Sequence, residues 1–161
     1  MMIIAWMAAG ICSTLVMDVF GGIVRKTGFT AGAPPQLIGR FFWTAFHGQF
    51  TVDKEAVTPL TPAAIAAVLL VHYAIGMTLA VAFGFFCRQF GVSTPAWWVS
   101  IAFGTATTLL PSLWMFPALG FGVFGLNGPA ELLLFRTALV NHVLFGVGLA
   151  LAVRFVVPRF G

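Results

Sequence analysis

Long apolar stretches alternate with short polar segments along this chain, which is typical of a multi-pass membrane protein. The first apolar stretch covers about residues 2–24, and the others cover about 62–87, 95–119 and 130–157. Each is longer than the roughly 20 apolar residues that a helix needs to cross the hydrocarbon core of a bilayer. The pattern predicts an all-α fold: an integral membrane four-helix bundle forming a single transmembrane domain over residues 1–161.

The longest polar region lies between the first two spans and contains a short amphipathic segment, residues 35–47. Its larger apolar side chains recur at helical spacing, at Leu37, Ile38, Phe41, Phe42 and Ala45. Arg40, Thr44 and His47 share a different face of the same helix. This arrangement predicts a short interfacial helix whose aromatic side chains point toward lipid.

The third apolar stretch carries two prolines in its second half. Because proline lacks a backbone N–H and clashes with the preceding turn, Pro111 and Pro117 predict a kinked or broken helix. The glycine-rich segment 120–128 is predicted to be a loop, and the sequence leaves open whether it re-enters the membrane. Span 4 then opens with an acidic residue, Glu131, in its first turn.

An internal repeat relates the two halves of the chain. The alignment of spans 1 and 2 with spans 3 and 4 pairs Gly10 with Gly104, Asp18 with Ser112, His72 with His142 and Gly76 with Gly146. Glycine is common in membrane helices, so short matches also arise by chance. Because rare polar residues agree and both pairs of spans keep their order, we favour two duplicated helical hairpins.

Ionisable side chains within the spans require an explanation, because each costs several kcal/mol near the bilayer centre unless it is paired, neutralised or hydrated. His72 lies ten residues after Pro62 and His142 eleven after Glu131. At 1.5 Å per residue, both lie roughly 15 Å into the membrane, and Asp18, seven residues before Arg25, lies roughly 10 Å from the same side as His72. We therefore expect one buried polar layer with these members: Asp18, His72, His142, Thr14, Thr108 and Ser112.

Four interpretations of this layer stay open. A substrate or proton site suits a small-solute or proton-coupled transporter, which with four helices per chain calls for a homodimer. Alternatively, His72 and His142 are axial ligands of a haem or part of a metal site. In the third interpretation the protein is a structural or assembly partner, and the polar side chains only tie helices together. An intramembrane enzyme is favoured least, and no catalytic residue is assigned.

Composition and charge support the membrane interpretation. With 60% apolar and 7% charged residues and a mean hydropathy of +1.03, the chain differs from soluble domains, in which about a quarter of the residues are charged. The net charge of +4 suits anionic lipid headgroups, so the predicted partner is the lipid bilayer and not nucleic acid. The connector between spans 1 and 2 holds one basic residue more than the opposite side, which favours a cytoplasmic connector.

Three short segments resemble a known family. They are PPQLIGR at residues 34–40, VHYAIG at 71–76 and NHVLFG at 141–146. The chain is similar over nearly its whole length to short four-span bacterial inner-membrane proteins that are catalogued as a domain of unknown function. The resemblance implies a bacterial inner (cytoplasmic) membrane location and a four-span topology. It brings no substrate, cofactor or catalytic residue with it.

Overall fold

A computed structural model describes residues 2–31, 35–49, 51, 61–128 and 132–159. The described residues are helical or lie in turns, without β-strands. Four helical segments of this part are long and apolar enough to cross a membrane, namely Met2–Lys26, Pro62–Gln89, Trp97–Ala118 and Leu133–Phe155. The predicted all-α fold with four long apolar helices is therefore confirmed.

The helices are α1 (Met2–Lys26), α2 (Pro35–Phe46), α3 (Pro62–Gln89), α4 (Trp97–Ala106), α5 (Phe116–Ala118) and α6 (Leu133–Phe155). Helices α1 and α3 each end two residues beyond the predicted span. The predicted first-turn residue of span 4, Glu131, lies outside the described residues.

The start of α3 is set by a capping threonine followed by proline. The Thr61 side chain accepts a hydrogen bond from the backbone N–H of Ala64 at 3.2 Å. Pro62 takes the first helical position, where a backbone N–H would have no helical partner. The sequence Thr-Pro thereby marks the point at which the chain enters span 2.

Removal of this cap is expected to weaken α3 slightly. We expect Thr61→Ala to lower the free energy of unfolding by about 1 kcal/mol or less, since an N-cap is typically worth that much and this one is exposed. Thr78→Ala is the control, because the Thr78 hydroxyl donates only to the Ala74 carbonyl of its own helix. Thermal unfolding in detergent measures both, and equal effects would contradict the capping role.

Span 3 is interrupted in its second half, as its prolines predict. Helix α4 ends at Ala106, and a π-helical turn over Pro111–Met115 precedes α5. Pro111 has no N–H to donate to the Thr107 carbonyl, which instead accepts from the backbone N–H of Leu110 at 3.1 Å. The missing donor explains why the regular α-helical ladder breaks at this point.

Helix α2 packs against the end of span 3. The Phe41 side chain is only 3% exposed, and its ring centroid lies 5.4 Å from that of Trp114. Trp43 and Phe46 are exposed. The helix is present where the periodicity predicts it, but Phe41 points into the protein instead of toward lipid. The reason is that Phe41 packs against apolar surface around Leu119. Because Leu119 lies in a distant part of the chain, the periodicity of residues 35–47 does not reveal this contact.

Segment 120–128 folds into tight turns that pack on the start of α6. Gly120, Gly122 and Gly125 adopt positive φ, a conformation that glycine reaches without steric penalty. The rings of Phe124 and Phe135 meet edge to face, with centroids 5.4 Å apart. The predicted loop thus docks on the fourth span.

Glycines set the closest approaches between the long helices. A Cβ added to Gly10 of α1 would lie 2.5 Å from the Met77 Cα of α3, and one added to Gly104 of α4 would lie 2.5 Å from the Gly146 Cα of α6. Both contacts therefore bring backbone against backbone. They occur at positions that the sequence alignment pairs, while the duplication itself stays a prediction.

The largest apolar core lies at the end of the bundle where α1 begins. Its buried residues come from α1, α3 and α6: Trp6, Ala9, Ala80, Phe83, Cys87, Phe145, Leu149, Ala152 and Val153. The Phe83 ring meets Trp6 edge to face at 6.0 Å and also contacts Phe103 of α4. Asp18 and His72 lie toward the opposite end, where α1 finishes.

Candidate functional site

Asp18 of α1 joins two consecutive side chains of α3. Its Oδ1 lies 3.0 Å from Nε2 of His72, and its Oδ2 accepts a hydrogen bond from the Tyr73 hydroxyl at 3.1 Å. Thr14 packs on Gly76 in the same antiparallel contact between the two helices, which we call the α1–α3 seam. Asp18 lies one turn after Thr14 along α1, and His72 lies one turn before Gly76 along α3. The seam therefore places Asp18 opposite His72. We call Asp18, His72 and Tyr73 the Asp18 site.

The Asp18 site is partly exposed, whereas the sequence predicts a buried one. The side chains of Asp18 and His72 are 38% and 36% exposed. Thr14, one turn before Asp18, is fully buried because Gly76 lets the two backbones close there. About one turn before Gly76 on α3, the larger side chains of His72 and Tyr73 face α1 where Gly76 leaves space. The helices therefore cannot close over the carboxylate.

A polar pocket of about 230 Å³ opens beside Asp18. Its charged and amide lining groups are Asp18, Arg25 and Asn141, from the second half of α1 and from α6. The Asn141 Oδ1 atom would lie 2.7 Å from a Cβ on Gly21. The glycine at that position thus lets the amide come close to α1. A carboxylate, a guanidinium and an amide therefore face one cavity.

The Asp18 site can hold a proton on either of two partners. An imidazole Nε2–H donates to an ionised carboxylate, and a protonated carboxyl donates to a bare Nε2. In both arrangements the Tyr73 hydroxyl can keep its hydrogen bond to the other carboxylate oxygen. The proton of this hydrogen bond can therefore lie on Asp18 or on His72 while the three side chains keep their positions.

The structure joins Asp18 and His72 by a hydrogen bond, whereas the hydrogen bonds of the other members of the predicted layer that the described residues show go to different partners. His142 Nδ1 lies 2.7 Å from the Thr107 hydroxyl oxygen, and the Thr14 hydroxyl donates to the Gly10 carbonyl of its own helix at 2.9 Å. The buried hydroxyls of Thr108 and Ser112 have no hydrogen-bond partner among the described residues. In the described part of the chain, the second histidine thus forms a separate contact within the second hairpin.

Three residues near these contacts were not predicted from the sequence. Tyr73 directly follows His72 and is the only tyrosine of the chain, a signal that an analysis of rare polar residues could have used. Thr107 is adjacent to the predicted Thr108, and the break after α4 decides which hydroxyl reaches His142. Asn141 precedes His142 and turns to the Asp18 pocket. For each of these residues, the direction in which the side chain points between two helices determines which group it contacts.

The described residues contain no group of three or more His, Cys, Asp or Glu side chains placed to hold a metal ion. The Asp18 site itself would offer one carboxylate, one imidazole and one phenol. One ring nitrogen of His72 and one of His142 are each taken by a protein partner, which leaves the other ring nitrogen of each histidine as the atom that would bind a haem iron or a metal ion. The haem or metal interpretation therefore stays a prediction.

A family model described as "Protein of unknown function (DUF2938)" matches residues 7–156 of the chain. The matched region contains the Asp18 site, the adjoining pocket and all four long apolar helices, apart from the first residues of α1. No curated protein matches the chain, and no solved structure does.

Proposed function

We propose that this chain, which belongs to the DUF2938 family of unknown function, is a proton-coupled transporter of a small solute that uses the Asp18 site to carry the proton. The observation that carries the proposal is the hydrogen-bonded Asp18–His72 pair within long apolar helices. An ionisable side chain inside a span is expensive and is usually functional. A hydroxyl group without a carboxylate is enough to connect two helices, as the hydrogen bond between Thr107 and His142 shows.

The pocket beside Asp18 supports a polar solute as the cargo. Arg25 and Asn141 can donate hydrogen bonds into the pocket, and Asp18 can accept them. Because the carboxylate faces both the pocket and His72, arrival of the solute would change which partner holds the proton. Such a shared group is the physical basis of coupling between proton and solute.

The proposal includes a bacterial inner-membrane location, a duplicated hairpin and a homodimer. The sequence resemblance supports the location, and the two equivalent glycine contacts support the duplication. The exposed edges of Asp18 and His72 support the homodimer, since polar side chains in a bilayer need water or protein around them. A second copy of the chain would bury part of these exposed edges.

Proteoliposomes that contain a trapped pH-sensitive dye test the transport proposal. The assay records internal pH after external addition of small zwitterionic, anionic and cationic solutes, with and without a potassium diffusion potential. We expect at least one solute class to drive proton movement that protein-free vesicles lack. Absence of protein-dependent proton movement under all of these conditions would overturn the proposal.

Loss of the tyrosine hydroxyl is expected to slow transport without stopping it. Tyr73→Phe removes one of the two hydrogen bonds to Asp18, and we expect a rate about fivefold lower, the size that a hydrogen bond of about 1 kcal/mol gives. Thr78→Ala on the same helix is the control, because its hydroxyl bonds only within α3. A Tyr73→Phe rate equal to the control rate would show that the phenol has no role in transport.

A further inference from the structure

An apolar groove of about 500 Å³ lies between α2 and α3, apart from the Asp18 site. One wall is a face of α2 on which Gln36, Arg40 and Trp43 follow one another at helical spacing. The other wall is a face of α3 made of small aliphatic side chains, Ala64, Ala67, Val68 and Val71. The volume falls within the range of small-molecule sites, roughly 300–1,000 Å³.

Arg40 is the charged group of this groove, and its Nε atom is buried without a hydrogen-bond partner among the described residues. A buried donor that stays unsatisfied is costly. Asp18 is the only acidic residue in the described part of the chain, and its carboxylate is already hydrogen-bonded to His72 and Tyr73. Among those residues the guanidinium therefore has no anion to pair with.

We propose that this groove binds an anionic phospholipid, with its phosphate on Arg40 and Gln36 and an acyl chain along the α3 wall. Three features of the described residues favour a lipid. The walls are apolar apart from those two side chains, Trp43 and Phe46 at the groove are exposed, and the helix that forms one wall is long and apolar enough to span the membrane. Charge complementarity selects an anionic headgroup over a zwitterionic one. This site is independent of the transport proposal.

Lipid binding to the purified full-length protein, measured by native mass spectrometry, tests the proposal. Phosphatidylglycerol and phosphatidylcholine with identical acyl chains are added in turn. We expect the wild-type protein to prefer phosphatidylglycerol about fivefold, the effect of one basic residue on an anionic lipid. Arg40→Gln is expected to abolish the preference, and Arg88→Gln, at the exposed end of α3, is expected to keep it.

Two further measurements separate the headgroup from the groove. Val68→Trp fills the aliphatic wall and is expected to lower the binding of both lipids severalfold. Soluble glycerol phosphate is expected to compete poorly, because it lacks the acyl chain. Equal binding of the two lipids to wild type, an unchanged preference in Arg40→Gln, unchanged binding in Val68→Trp, or strong competition by glycerol phosphate would each overturn the lipid site. If Arg40→Gln does not fold, Arg40→Lys must retain the preference.

Discussion

Asp18→Asn is expected to lower proton-coupled flux in proteoliposomes about a hundredfold, a typical effect of removing a group that transfers a proton. The asparagine amide has nearly the size of the carboxylate, and its oxygen can still accept a hydrogen bond from Tyr73. It cannot exchange a proton with His72 or with a solute at neutral pH. The measurement is the initial rate of internal pH change with the solute class that gives the largest wild-type signal.

The control for folding is the thermal unfolding midpoint in detergent. The Asp18 side chain is 38% exposed, so its replacement by an amide of similar shape is expected to leave the midpoint nearly unchanged. Asp18→Glu keeps the carboxylate one methylene further from α1 and should retain part of the flux. Wild-type flux in a folded Asp18→Asn protein would remove the carboxylate from the transport pathway.

A double substitution asks whether Asp18 and His72 act as one unit. If a single proton is shared between them, His72→Ala alone should lower the flux strongly, and adding it to Asp18→Asn should cause little further loss. Multiplying losses would instead indicate two independent roles. Comparison of the single and double variants thus tests the hydrogen bond itself, at 3.0 Å between Oδ1 and Nε2.

The level of the polar residues could be predicted from the sequence because the bilayer and the helix impose fixed dimensions. Backbone groups in hydrocarbon must be satisfied within a helix, and each residue advances it by about 1.5 Å. Counting from the ends of the spans therefore predicted that Asp18 and His72 lie in one polar layer, and the structure shows the two in hydrogen-bond contact. The pairing of these two residues follows from depth and from the small residues of the α1–α3 seam.

The partners of His142 and Phe41 could not be predicted in this way, because they depend on helix rotation and on breaks in the helices. The interruption after α4 brings Thr107 to His142, although Thr108 also lies at the expected depth. Phe41 is buried by the end of span 3, more than 70 positions later in the chain. The exposed fraction of Asp18 likewise depends on how far the helices separate beyond Gly76. Periodicity indicates which face of a helix is apolar, but not which part of the chain packs against that face.

Gly10→Ala and Gly104→Ala are expected to destabilise the bundle strongly, each by about 1–3 kcal/mol, the usual effect of overpacking a close contact. The Cβ of alanine at position 10 would lie 2.5 Å from the Met77 Cα and 2.6 Å from the Gly76 carbonyl oxygen. At position 104 it would lie 2.6 Å from the His142 carbonyl oxygen. Since these neighbours are backbone atoms, no side-chain rotation relieves the contact, and the helices must move apart.

Gly22→Ala is the matched control on the same helix as Gly10, because a Cβ there meets no atom within 4 Å. Alanine also favours the helix over glycine, so this variant is expected to be as stable as wild type or slightly more stable. Unfolding midpoints in detergent compare the three variants. Similar losses for Gly10→Ala and Gly104→Ala would show that both hairpins depend on the same backbone contact, as a duplication requires. Three equal midpoints would contradict the close approach of α1 to α3 and of α4 to α6, and would also remove the seam that aligns Asp18 with His72.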